Sequence, residues 1–396
     1  MLGVVSLAQF LGMTLWFSAT AVTPLLVRDF AIPPGQAAWL TMAVQAGFVA
    51  GTLVSALANL ADILNARTLM FLGSLVGAAA NAAVIVAPGP ASVIALRFLT
   101  GVSLALVYPP GMKIAAGWFR DQRGLALGLL IGALTLGKAF PHLLTAIFGA
   151  NWHEPMLLVS GLAASGGVLV LAVVRDGPYV AATAPFDPHA IRKILASRGA
   201  RLATFGYLGH MWELYAMWTW VAVFATASFA ASGLPNPGGA GSIAAFLAIG
   251  SGAAGCALAG YLADRLGKAR IAMWAMLVSA TCAALTLVVF GGSPAWLYAL
   301  VMVWGFAVVA DSAQFSALVS EYAPSDHIGT ALTLQTCVGF LLTMVTIELL
   351  PLLADATSWQ YASLLLVPGP LLGAWAMARL RRDNQGLTPS KNFRGV

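Results

Sequence analysis

Charge is scarce in this chain. Asp, Glu, Lys and Arg make up 9% of its 396 residues, where soluble domains carry about 25%, and so little charge excludes a water-soluble globular protein. Cysteine is scarcer still. Cys256, Cys282 and Cys337 lie far apart inside apolar runs, which excludes a disulfide framework and a cysteine metal cluster and leaves them as small buried apolar residues. No catalytic triad, metal-ligand spacing or appended soluble domain is present, so neither an enzyme nor a cofactor nor a metal site is expected.

Apolar length is what the chain has in abundance, with 60% hydrophobic residues and a mean hydropathy of +0.87. Twelve runs are each long enough to cross about 30 Å of hydrocarbon as a helix, the form in which a spanning backbone satisfies its own polar groups. They cover 3 to 26, 36 to 60, 67 to 88, 91 to 113, 123 to 149, 153 to 174, 202 to 230, 240 to 262, 270 to 290, 294 to 319, 328 to 353 and 358 to 379. The first has no basic leader and no small-residue cleavage site and is too long for a signal peptide, so it is read as a spanning helix. An all-α integral membrane protein follows.

The pI near 9.4 would suggest nucleic acid in a soluble protein, but the basic residues alternate with the spans. Seventeen of the twenty, from Arg67 to Arg394, fall on the even-numbered connections and the tail, and Arg28 alone falls on the opposite side. By the positive-inside rule both termini are cytoplasmic, in a multi-pass protein of the cytoplasmic (inner) membrane. The basic balance records topology, and no nucleic-acid partner is expected.

The chain also repeats itself. Leu-Ala-Asp closes the second span of each half, placing Asp62 and Asp264 202 residues apart, and Trp16 with Trp218, Gly101 with Gly305 and Gly124 with Gly329 recur at offsets of 202, 204 and 205. Two pseudo-symmetric six-helix bundles are therefore expected, 1–178 and 201–382, joined by a cytoplasmic linker at 179–200 and followed by a tail at 383–396. Duplicated helical halves around a midplane site are the architecture of many secondary transporters.

"GYLADRLGKAR", Gly260 to Arg270, resembles the loop signature of the major facilitator superfamily. "RFLTG" (Arg97 to Gly101) resembles its fourth-helix Arg-x-x-x-Gly pattern, and "WFRDQRGLALG" (Trp118 to Gly128) the start of its fifth helix. The resemblance implies twelve helices in the major facilitator fold, and a cytoplasmic gating latch of Gly260, Asp264, Arg265 and Arg270. In the first-half copy only Asp62 and Arg67 remain, because Ala58, Ile63 and Asn65 replace the other positions. Arg97 would line the central cavity by the same resemblance. The stretches "YPPGMK" and "HMWELY" are loosely similar to bacterial nitrate, nitrite and cyanate porters. The second and eighth spans hold no arginine, so nitrate binding through arginines there is not expected.

"GALTLGKAF", residues 132 to 140, has the opening spacing of a phosphate-binding loop, but Ala139 stands where Ser or Thr is needed and the surroundings are helical and apolar. Gly124, Gly128 and Gly132 share one helix face, which suits close packing. The family's antiport pattern of Gly-Pro in this helix is partial here, since Phe140 precedes Pro141. A charge at this depth costs at least about 2.5 kcal/mol unless compensated, so Lys138 must face the interior, with His142 one turn away. It is either a contact for an anionic substrate or an internally paired or snorkelling lysine.

"GYLGHMWELYAMWTW", residues 206 to 220, holds His210 and Glu213 on one face of the seventh span, either as a proton-coupling pair or as a static hydrogen bond. Trp212 and Tyr215 in the same segment, Gln9 and Trp16 in the first span, Tyr108 before its two prolines, and Gln314 are candidate walls and contacts of the cavity. Asp311, one turn from Gln314, joins the coupling candidates, and Glu348 reads as a solvated rim residue. The residues together predict a monomeric, proton-coupled secondary transporter of a small organic or inorganic anion, or alternatively a proton-driven efflux pump for amphipathic compounds.

Overall fold

The computed structural model describes residues 1–119, 123–179 and 186–386, the side chains of 34, 61, 62, 123, 124 and 384–386 excepted. Every described regular element is a helix. Eleven helices are long and apolar enough to cross a membrane: α2 (Trp39–Leu57), α3 (Ala66–Val86), α4 (Pro90–Trp118), α5 (Leu125–Phe148), α6 (His153–Val173), α7 (Arg198–Ala231), α8 (Pro237–Leu266), α9 (Lys268–Val289), α10 (Pro294–Tyr322), α11 (Ser325–Ala356) and α12 (Trp359–Asp383). The first predicted span is broken into Leu2–Met13, Ser18–Ala21 and Thr23–Asp29, together α1, which takes the place of the twelfth expected crossing beside these eleven.

α1, α4 and α10 are each interrupted near the middle of their length. α4 breaks between Leu104 and Tyr108, just ahead of Pro109 and Pro110, which cannot donate to the preceding turn. α10 breaks at Asp311 without any proline. α1 breaks after Met13, where the Thr14 hydroxyl donates to the Leu11 carbonyl at 2.7 Å and competes with the helical ladder. A broken helix in hydrocarbon leaves carbonyls that something else must satisfy, and Arg97 does this for α1.

The repeat seen in the sequence is also a repeat of contacts. A methyl at Gly101 would overlap the Val44 carbonyl oxygen, and a methyl at Gly305 the Ala248 carbonyl oxygen, each pair lying 204 residues from its counterpart. Gly51 against Val102 and Gly255 against Phe306 repeat the relation. At the third such position Gly47 faces the Phe98 carbonyl, whereas Ser251 donates to the Met302 carbonyl at 2.8 Å. α2 thus packs on α4 as α8 packs on α10.

Across the two halves, α5 packs along α8 and α2 meets α11. Gly128 and Gly132 lie against the backbone of α8 at Cys256 and Ala253, the close approach that small residues permit. One apolar core runs through both halves, and Lys138 sits within it.

Candidate functional site

Lys138, on α5, is 3% exposed. Its ammonium donates to the Tyr215 hydroxyl of α7 at 2.7 Å and lies 4.2, 4.9 and 5.3 Å from the ring centroids of Trp16, Tyr215 and Trp218. Ring faces attract a cation, more so when water is excluded. Among the described residues no carboxylate pairs with it. Its surroundings join the halves: Trp16 and Phe17 from α1 and Phe48 from α2 meet Tyr215 and Trp218 from α7 and Phe340 from α11, with Phe48 and Phe340 4.7 Å apart. His142, one turn from Lys138, is fully buried beside Phe17, and neither ring nitrogen has a partner.

Arg97, expected in the cavity wall, is turned into the first half. Its Nε donates to Leu40 O at 3.2 Å, one terminal nitrogen to Leu15 O, Ser18 Oγ and Asn81 Oδ1 at 3.0 to 3.2 Å, and the other to Trp16 O at 2.6 Å. Its donors are spent on carbonyls freed by the break in α1, which is why a guanidinium with no acidic partner is kept there.

His210 and Glu213 both face α10 but do not engage each other. His210 Nδ1 lies 2.8 Å from Asp311 Oδ1, and its other nitrogen is 2.9 Å from Ser312 Oγ, at the break in α10. Glu213 accepts from Trp304 Nε1 at 2.6 Å and from Ser279 Oγ at 2.8 Å. The carboxylate therefore belongs to an α7–α9–α10 junction, and the partner of the imidazole is Asp311.

These features, twelve crossings in two repeated halves with a buried polar centre between them, agree with what comparison finds. The family model of the Major Facilitator Superfamily matches residues 5–346 and 235–395. The chain belongs to the Major Facilitator Superfamily. Curated relatives include the Uncharacterized transporter ESBP6 of Saccharomyces cerevisiae, 26% identical over 184 residues, 44% of this chain and 27% of that protein. The MFS-type transporter pytF of Aspergillus terreus is 24% identical over 180 residues, 44% of this chain and 58% of that protein. The chain thus spans between about a quarter and little more than half of these relatives. Among solved structures, the nucleoside transporter NupG (D323A mutant) aligns with a TM-score of 0.70 over 96% of this chain and 99% of that one at 16% identity, a likeness of fold. The chain is a membrane-embedded member of this superfamily.

The superfamily loop motif is present in sequence, but its latch is not closed among the described residues. Asp264 is exposed without a partner, Arg265 lies over the Tyr261 ring at 4.2 Å, and Arg270 makes no side-chain bond, while neighbouring Lys268 pairs with Glu321. Gly260 is buried in α8. In the first half the Asp62 side chain lies outside the described residues, and Arg67 donates to Val174 O at 2.8 Å and to Asn65. Of the remaining candidates, Gln9 donates to Tyr108 O at 3.4 Å and Tyr108 stacks on Phe48 at 6.2 Å. Gln314 is buried with its amide nitrogen unpartnered. Trp212 points away from this centre, donating to Leu365 O at 2.8 Å toward α12. Glu348, read as a rim residue, is half-buried, and one carboxylate oxygen is occluded without a partner.

Several central residues carry no sequence signal. Phe17, Phe48 and Phe340 are apolar residues in apolar spans, and nothing local says which face they occupy. Gln45 and Asn81 did carry one, an amide at membrane depth. Asn81 accepts from Arg97 and Ser18 and donates to Ser160 at 3.0 Å, and Gln45 is fully buried with neither amide atom bonded.

Proposed function

We propose that this superfamily member is a proton-coupled secondary transporter that moves a small anion by alternating access of its two halves. The observation that carries this reading is Lys138: a buried ammonium between the halves, compensated by ring faces and one phenol and, among the described residues, by no carboxylate. A desolvated cation without a counter-ion is the natural partner of an anionic substrate. The likeness of "YPPGMK" and "HMWELY" to nitrate, nitrite and cyanate porters supports the same substrate charge. His210 with Asp311 is the coupling pair in this reading: imidazole and carboxylate are in contact at a break in α10, where proton exchange is linked to the backbone's own hinge. We take the protein to act as a monomer in the cytoplasmic membrane, its basic face and both termini inside.

The test is uptake into proteoliposomes with and without an imposed pH gradient. Lys138→Gln is expected to abolish anion uptake, and Asp311→Asn to remove its stimulation by the gradient while leaving counterflow intact. Anion uptake that is unchanged in Lys138→Gln would sink the reading.

The aromatic lining of the same centre favours a second reading, export of amphipathic compounds. Proton-driven export of a lipophilic cation that survives Lys138→Gln and is lost in Glu213→Gln would replace the first.

A further inference from the structure

We infer that the substrate is a flat aromatic monocarboxylate, its ring taken up between the aromatic side chains of the two halves and its carboxylate bound by Lys138. The inference rests on the reading of the chain as an anion transporter and narrows it from charge to shape.

Donors outnumber acceptors at the centre. Lys138 spends one N–H on Tyr215. The indole N–H groups of Trp16 and Trp218, two of the rings that flank the ammonium, are buried without an acceptor, and one turn away His142 has neither ring nitrogen bonded, so its one N–H is unanswered too. Buried unpaired donors are uncommon and each one costs stability. An ionised carboxylate accepts at two oxygens with about four lone-pair sites, so it can answer several of these groups together. A cationic ligand would leave these N–H groups unanswered and would face the ammonium. Arg97 does not compete for the anion, because its N–H groups are already engaged.

Shape selects the rest of the molecule. The groups that meet across the halves are rings: Trp16 lies 5.7 Å from both Tyr215 and Phe340, and Phe17 lies 6.1 Å from Trp218. The face of an aromatic ring carries negative charge density, so a small inorganic anion gains nothing from this lining and is repelled by part of it. A benzoate-like ligand uses both features. Its ring packs against the faces and edges that now pack against each other, and its carboxylate draws the Lys138 ammonium from the Tyr215 hydroxyl.

The experiment is binding to the purified full-length protein by thermal shift and counterflow, with benzoate and cinnamate against cyclohexanecarboxylate, acetate, nitrate and benzamide at one pH. Benzoate or cinnamate is expected to bind at least about tenfold more tightly than cyclohexanecarboxylate and acetate, and benzamide not to bind. In Lys138→Gln the aromatic acids should weaken by roughly ten- to a hundredfold, and in Trp16→Phe, which keeps a ring and deletes the N–H, by a few-fold. Equal binding of acetate or nitrate, still dependent on Lys138, would overturn the aromatic class and leave anion transport standing. Benzamide binding as well as benzoate, or aromatic acids binding undiminished in Lys138→Gln, would overturn both. Binding by none of the panel overturns the inference. The selectivity of the unaltered protein decides the matter even where a variant fails to fold.

Discussion

Arg97 and Lys138 are buried cations in the same half, yet their neighbours assign them different work, and substitution should separate them. Arg97→Met withdraws the donors of five hydrogen bonds, among them the one to the Trp16 carbonyl at the break in α1. A loss of at least about 3 kcal/mol is expected, read as a lower melting temperature in detergent that added anions do not restore. Lys138→Met replaces an ammonium lacking a counter-ion by an apolar side chain of similar length, and such exchanges are often neutral or stabilising. Its melting temperature should hold or rise while transport is lost, and a fall like that of Arg97→Met would make Lys138 a structural tie. The interior position of Lys138 was legible because a charge in an apolar run has nowhere else to go. The service of Arg97 was not, because its acceptors are main-chain carbonyls, which every residue carries and which become available only once α1 has broken.

Among the elements, the interruption of α4 was announced by Pro109 and Pro110, whereas α1 breaks at Thr14, whose hydroxyl bonds the Leu11 carbonyl, and α10 at Asp311, neither of them marked by a proline. The glycine contacts lie between these cases: the 204-residue recurrence was visible, but the carbonyl that each glycine admits was not. Gly101→Ala and Gly305→Ala should each force paired helices apart and cost about 1–3 kcal/mol or more, whereas Gly161→Ala, which meets no neighbour within 4 Å, should be neutral, as thermal denaturation of the three can check. At the end of α1, Asp29 accepts from Arg28 at 2.7 Å and from Trp152 Nε1 at 2.7 Å, and these bonds, Arg28 first, hold its carboxyl below the usual range. A depressed value means that the contribution is present above the unfolded carboxylate's pKa and is lost as pH falls through the folded one. Asp29→Asn should therefore lower the melting temperature more at pH 7 than at pH 3. An equal difference at both would show that the charge of Asp29 plays no part.

For the whole molecule, the proposed alternation requires α5 and α8 to change their contact, and their packing offers a direct test. A Cβ at Gly250 would lie 4.0 Å from Cβ of Ala139, within the range of a disulfide. In a background lacking the three native cysteines, Ala139→Cys with Gly250→Cys should cross-link on oxidation and stop transport, and reduction should restore it. Full transport by the cross-linked protein would show that the halves do not part along this seam. The two-half plan and the helical crossings were legible because hydropathy and recurrence are properties of the chain itself. How closely the halves meet at their centre was not, since it depends on which rings face one another across the seam. Lys138 also gives the cycle a direction of effort. When the halves part at this level, the ammonium keeps Trp16, which belongs to its own half, and leaves Tyr215 and Trp218 behind. A ligand reaching it then competes with Trp16 alone, whereas with the halves together it competes also with the Tyr215 phenol and the rings of Tyr215 and Trp218. In the proposed cycle the ammonium is thus freest for an anion when the centre is open, and closure without one returns it to the Tyr215 phenol.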